Sequence, residues 1–116
     1  VARENGLFQV LGALTPTEVV AAWEAGADMV KVFPCSAVGG ASYIKALKAP
    51  LCQIDLIPTG GVNLQTAAEF IKAGSTALGV GADLVDLKAL REGRDALLTE
   101  RAQKLVEVVR TARASS

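Results

Sequence analysis

Short apolar runs alternate along the chain with stretches whose apolar residues recur every three or four positions. That alternation is the pattern of βα units on a parallel sheet, where helices cover the strands and the strands read as nearly continuous apolar runs. The pattern predicts four such units. The first strand is "LFQV", Leu7 to Val10, followed by a helix within "GALTPTEVVAAWEAG". There Thr15 and Glu18 have the spacing of a capping box, Pro16 takes the first helical position and Gly26 supplies the stop. The second strand is "MVKVF", ended by Pro34, and its helix is the short "ASYIKALKA" before Pro50. The third is "IDLIP", then the turn "TGGVN" with Asn63 as N-cap, then the helix "LQTAAEFIKAG" closing on Gly74. The fourth is "TALGV", followed by "GADLVD" and a long helix from about Asp95 to Arg113. At the other end, "VARENG" reads as the last turn of a helix stopped by Gly6, so the chain is expected to begin inside an element.

One domain over residues 1–116 follows from this length. A (β/α)8 TIM barrel takes about 250 residues, so four βα units amount to half of one, a half barrel. The alternative α/β fold is an open, flavodoxin-like parallel sheet. A half barrel leaves two unpaired strand edges, which predicts association with a copy of itself, as a homo-oligomer, or with a missing N-terminal half.

Charge narrows the partners. Lys and Arg number 12 and Asp and Glu 12, so there is no basic excess of the kind nucleic acid or an anionic membrane surface recruits. No apolar run approaches the ~20 residues of a transmembrane helix, and the N-terminus lacks a signal-peptide pattern, which predicts a cytoplasmic protein. Histidine is absent, and Cys35 and Cys52 lack metal-ligand spacing, so no metal site and no cofactor are expected. The two thiols fall at opposite ends of neighbouring strands, roughly 15 Å apart, beyond the ~7 Å that a disulfide spans; both are expected to be free. Tyr43, Lys45, Lys48 and Lys72 sit on helical patterns and read as surface residues.

The chemistry begins with Lys31, a lysine inside the apolar run "MVKVF". Alternation puts Val30 and Val32 on one face and Met29, Lys31 and Phe33 on the other. If that second face is a barrel interior, desolvation lowers the lysine pKa and frees an amine able to attack a carbonyl. The plainer reading is an edge lysine that blocks strand pairing or extends to solvent, and position alone does not exclude it. Two glycine turns come next: "PTGGVN", Pro58 to Asn63, and "LGVGAD", with Gly79 and Gly81. Such turns aim backbone N–H groups at an anion, and in (β/α)8 barrels the loops after the last two strands frequently hold phosphate. "CSAVGG", Cys35 to Gly40, is either a ligand-facing loop or a flexible link.

In this order, "GALTPTE", "VKVFP", "IPTGGV" and "GVGADLV" closely resemble the C-terminal half of the KDPG/KHG aldolase family, over nearly the whole chain. The resemblance implies a class I aldolase that cleaves 2-keto-3-deoxy-6-phosphogluconate to pyruvate and glyceraldehyde 3-phosphate. It implies Lys31 as the Schiff-base lysine, with Phe33 and Pro34 completing its motif, and Thr59, Gly60, Gly61 and Gly81 around the substrate phosphate. It also implies a trimer for the intact protein. Ala82 stands where the family carries a phosphate-binding serine, and Leu11 and Cys52 stand where it has proline. The family's general-base glutamate lies on barrel strands outside this stretch. Two other functions remain open on the sequence. One is a truncated or engineered half-barrel scaffold that self-associates without turnover; the other is a phosphate-binding module of a sugar-phosphate or thiamin-phosphate enzyme in which Lys31 is incidental.

Overall fold

The computed structural model describes residues 1–115. Three parallel strands form one sheet in the order β1-β2-β3: β1 is Val10–Ala13, β2 is Met29–Val32 and β3 is Leu56–Pro58. Five α-helices accompany them: α1 Pro16–Glu24, α2 Ala41–Lys48, α3 Ala67–Lys72, α4 Leu87–Arg91 and α5 Asp95–Ala114. The strand order contains no reversal, unlike the flavodoxin-like alternative.

Register sorts the side chains. Leu11, Val30 and Leu56 lie in one row and Ala13, Val32 and Pro58 in the next, all on the face covered by helices. Val30, Val32 and Leu56 are fully buried there, against Val19 of α1, Ile44 and Leu47 of α2, and Phe70 of α3. The other face carries Val10, Gly12, Met29, Lys31 and Ile57, and among the described residues no helix covers it. Farther out, α5 packs on α3 and buries Leu105 and Ala112.

Local chemistry sets the helix ends where the sequence places them. Glu18 N–H donates to Thr15 Oγ1 at 3.4 Å and Thr15 N–H donates back to Glu18 Oε1 at 3.0 Å, a complete capping box with proline at the start of α1. Asn63 Oδ1 accepts from the N–H groups of Gln65 and Thr66, so it caps a lead-in turn and α3 proper starts at Ala67. The N-terminal residues form a single turn, Arg3–Asn5, ended by Gly6.

Four expectations need correction. The first strand runs from Val10 instead of Leu7, because pairing starts where Val10 meets Met29; Leu7 and Phe8 are exposed. The fourth strand is reduced to one bridge between Thr59 and Gly79. Thr76 N–H donates to Leu56 C=O and Gly79 N–H to Pro58 C=O, three residues of advance against two, and that slip breaks the ladder. Tyr43 is no surface residue: half-buried, its hydroxyl donates to Leu14 C=O at 2.6 Å and ties α2 to the β1–α1 loop. Lys48, also half-buried, donates from Nζ to the carbonyls of Cys52 and Ile54 at 2.9 and 2.8 Å, which holds the turn entering β3. The sequence had not marked α4 either; Asp86 caps it by accepting from Ala89 N–H at 3.0 Å.

The Tyr43 tie yields a direct test. Tyr43→Phe leaves the Leu14 carbonyl without its partner and is expected to cost roughly 0.5–1.5 kcal/mol, read as a lower urea midpoint at unchanged slope.

Candidate functional site

The predicted site residues gather at the C-terminal ends of the strands. Lys31 lies on the open face between Gly12 of β1 and Ile57 of β3. Its Nζ stands 5.2 Å from the centroid of the Phe33 ring, a cation–π distance, and Phe33 is 54% exposed. Gly12 contributes no side chain, and nothing lies within 4 Å of where its Cβ would be, so the flank of Lys31 toward β1 is open. The result is a cleft of about 270 Å³ lined by Gly12, Ala13, Leu14, Glu18, Lys31 and Phe33. The barrel-interior expectation predicted a desolvated lysine, yet Lys31 is exposed, because its face carries no cover from the described residues. Glu18 is the site neighbour that the sequence reading treated only as a helix cap. Its carboxyl is held below the usual glutamate range, first by the Thr15 N–H and then by the Thr15 hydroxyl.

After β2 the chain turns through a cis Phe33–Pro34 peptide into a short turn, Cys35–Val38. This loop meets the "PTGG" turn through the backbone: Cys35 N–H donates to Thr59 C=O and Thr59 N–H to Val32 C=O, each at 2.9 Å. Gly60 and Gly61 have φ of +93° and +73°, in the region that favours glycine. A Cβ on Gly60 would meet Cys35 N at 3.4 Å, and one on Gly61 would run into the Ser36 side chain. Gly61 is therefore required by close approach as well as by φ, and Gly60 by φ. Among the described residues, the N–H groups of Gly60, Gly61 and Val62 donate to no acceptor. Ser36 completes this contact, and only the "CSAVGG" loop as a whole, not the residue, had been singled out from sequence.

The second glycine turn joins the first by one contact. Gly79 lies against the Thr59 side chain, where any Cβ would collide with Oγ1. Gly81 and Ala82 are exposed, and the N–H groups of Val80, Gly81 and Ala82 likewise donate to no described residue. Ala82 faces the lead-in to α3 across a hollow of about 330 Å³ that also includes Asn63, Gln65 and Arg101. Arg101 is paired with Asp86 at 3.5 Å; the Asp86 carboxyl is held below its usual range mainly by the Ala89 N–H. The structure thus brings Lys31 and Phe33 into one cleft, sets Pro34, Thr59, Gly60 and Gly61 together beside it, and leaves Ala82 at a separate hollow with Gly81 exposed next to it in the chain. A larger hollow, about 560 Å³, lies at the opposite end of the strands and holds none of these residues.

Both cysteines are free; Cys35 is buried under the loop, with its thiol pushed up by burial, and Cys52 is exposed. Among the described residues no group of three His, Cys, Asp or Glu side chains is placed to hold a metal, and no helix is long and apolar enough to cross a membrane.

Two predictions follow from the packing. Gly61→Ala is expected to destabilise by roughly 1–3 kcal/mol, whereas Gly81→Ala, whose Cβ meets nothing, should stay within about 0.5 kcal/mol of the parent in urea titrations. Cys52 should alkylate in the folded protein while Cys35 does not. Since the folded state holds the Cys35 proton more tightly than the unfolded chain, stability should fall as pH rises through the ordinary thiol value of 9.0, in denaturation midpoints compared with Cys35→Ala.

The sequence model described as KDPG and KHG aldolase matches residues 2–108. The 2-dehydro-3-deoxy-6-phosphogalactonate aldolase of Escherichia coli (strain K12) is 47% identical over 80 residues, covering 68% of this chain and 38% of that protein. The KHG/KDPG aldolase of the same organism is 28% identical over 106 residues, covering 91% of this chain and 50% of its own length. Among solved structures, the native KDPGal structure superposes with a TM-score of 0.86 at 37% identity, over 97% of this chain and 53% of that one. A thiamine phosphate pyrophosphorylase from Pyrococcus furiosus shares the fold alone, with a TM-score of 0.72 at 20% identity over 91% of this chain and 50% of that one. The chain spans about half the length of most of the relatives it matches. A match that runs through all three strands and into α5, with a backbone that superposes along it, establishes that the chain belongs to the KDPG and KHG aldolase family.

Proposed function

We propose that this chain is the lysine-bearing half of a (β/α)8 barrel aldolase acting on phosphorylated 2-keto-3-deoxy sugar acids. The observation that carries the reading is Lys31 on the open sheet face, in a cleft next to a glycine turn with unused N–H donors. The Lys31 amine attacks the C2 ketone and water leaves, giving an iminium. Its nitrogen then takes the electron pair of the C3–C4 bond while the C4 hydroxyl loses its proton, so that glyceraldehyde 3-phosphate departs and pyruvate stays bound as an enamine. Gly60 and Gly61 offer the phosphate their N–H groups and Thr59 its hydroxyl, while Gly81 lies on the second glycine turn, which meets the first through Gly79 and Thr59. Ala82 offers no hydroxyl, so the phosphate would be held by backbone donors and Thr59.

Solvent exposure of Lys31 weighs against high activity of this half alone, since an open cleft does not exclude water from the reacting groups. Covering the open face, by the other four βα units of a barrel or by a second copy, supplies the missing desolvation. The exposed Val10 and Phe33 on that face and its rim favour such cover, and self-association without turnover is the second reading they support.

Incubation with pyruvate and borohydride, followed by peptide mass spectrometry, tests the first reading. A reduced pyruvyl adduct confined to Lys31 and lost in Lys31→Ala is the expected result. A folded chain that gives no adduct would overturn the Schiff-base reading, and its mass in solution would then show whether copies pair.

A further inference from the structure

On the β1 side, the wall of the Lys31 cleft is the segment Ala13–Leu14, and a side chain of α2 holds it from outside the cleft. We infer that Tyr43 is a positioning residue for the lysine cleft: by fixing the Leu14 carbonyl, its hydroxyl keeps that wall in place against a keto acid joined to Lys31. This inference rests on the Schiff-base reading of Lys31 and gives a role in ligand binding to a contact that would otherwise only add stability.

Two consecutive carbonyls fasten the wall to its neighbours. Ala13 C=O accepts from Phe33 N–H at 3.2 Å, and Leu14 C=O accepts from the Tyr43 hydroxyl at 2.6 Å. Among the described residues, and beyond the β1–β2 ladder, these two bonds join the start of the β1–α1 loop to the elements after β2, because Thr15 turns back onto Glu18. The first bond leads straight to the lysine, since the Phe33 ring centroid lies 5.2 Å from Lys31 Nζ. The second depends on Tyr43, which is anchored at its own base. Its N–H donates to Gly40 C=O at 3.1 Å, in a turn where Ser42 Oγ donates to Gly39 C=O at 2.8 Å, and its half-buried ring packs against the core.

Strand register fixes the lysine but not all of this wall. Gly12 and Ala13 pair with Lys31 and Val32, whereas Leu14 lies past the last paired residue, so its place is set by the loop bonds. Without the Tyr43 hydroxyl, the Leu14 carbonyl is released and the loop samples an open form beside the closed one. A ligand that needs the closed form then binds with an apparent affinity reduced by the closed fraction. One hydrogen bond moves such a two-state population by roughly 3- to 10-fold. The chemistry at the Lys31 nitrogen is the same in both forms: the amine adds to the ketone and water leaves, and only the occupancy of the cleft changes.

Positioning and stability can be separated by borohydride trapping over a series of pyruvate concentrations. The half-saturating concentration reports the closed cleft, whereas the adduct level at saturation reports the folded fraction. Tyr43→Phe, which removes a single oxygen, is expected to raise the half-saturating concentration by roughly 3- to 10-fold while the final level of Lys31 adduct stays that of the parent. Placing 4-aminophenylalanine at position 43 restores a donor of similar reach and should bring the value back. Lys48→Met is the stability control: it removes two carbonyl bonds at the opposite end of β3, so it should lower the urea midpoint and leave half-saturation unchanged. A shift in Tyr43→Phe of less than about two-fold, or an equal shift in Lys48→Met, overturns the role of Tyr43 and leaves Lys31 standing. Absence of the adduct in the unaltered chain overturns the Schiff-base reading, and the role of Tyr43 with it.

Discussion

The two-residue period of three strands in common register is the constraint on which the molecule depends. It sends Ala13, Val30, Val32, Leu56 and Pro58 to one face, where α1, α2 and α3 bury them, and leaves Gly12, Lys31 and Ile57 on the other. A one-residue slip in β2 would exchange Val30 and Val32 for Lys31, burying an ammonium among Ile44, Leu47 and Phe70 at a cost of several kcal/mol at the least. The core therefore fixes where the lysine points. The orientation of Lys31 is a by-product of the packing on the opposite face.

The site follows the same logic at its rim. Parallel strands end together, so their following loops crowd at one end, and the backbone contacts of Cys35, Thr59 and Val32 lock two loops into one surface. Crowding makes glycine obligatory at Gly61 and Gly79, where Ser36 and Thr59 occupy the space of a side chain, but not at Gly81, which faces open space. Glycines of the two turns are thus under different constraints, packing at Gly61 and Gly79 and ligand approach at most at Gly81.

Features set by chain neighbours were legible in the sequence. The Thr15–Glu18 box, the Asn63 cap, the face assignment of Lys31 and the helix over 95–114 needed only residues a few positions apart. Features set by distant partners were not. Tyr43 finds Leu14 across 29 positions, and no helical pattern announces that bond. The start of β1 depends on where Met29 lies, which is why the apolar "LFQV" looked like the strand and "VLGA" is. The family resemblance pointed to Lys31 and the glycine turns, but the exposure of Lys31 depends on what covers an entire sheet face. Glu18 was read correctly as a cap and incompletely as a neighbour of the lysine, since a local motif accounted for it fully.

The slipped segment after α3 has a consequence for how these molecules can associate. A regular fourth strand would present a periodic row of amides and carbonyls on its outer side, on which strands of other copies could add without limit. Here the residues from Thr76 to Gly79 advance out of step with β3, and the Arg113 guanidinium of α5 donates to the Thr76 carbonyl. That edge offers no repeating template for a further strand, so open-ended fibre growth is blocked there.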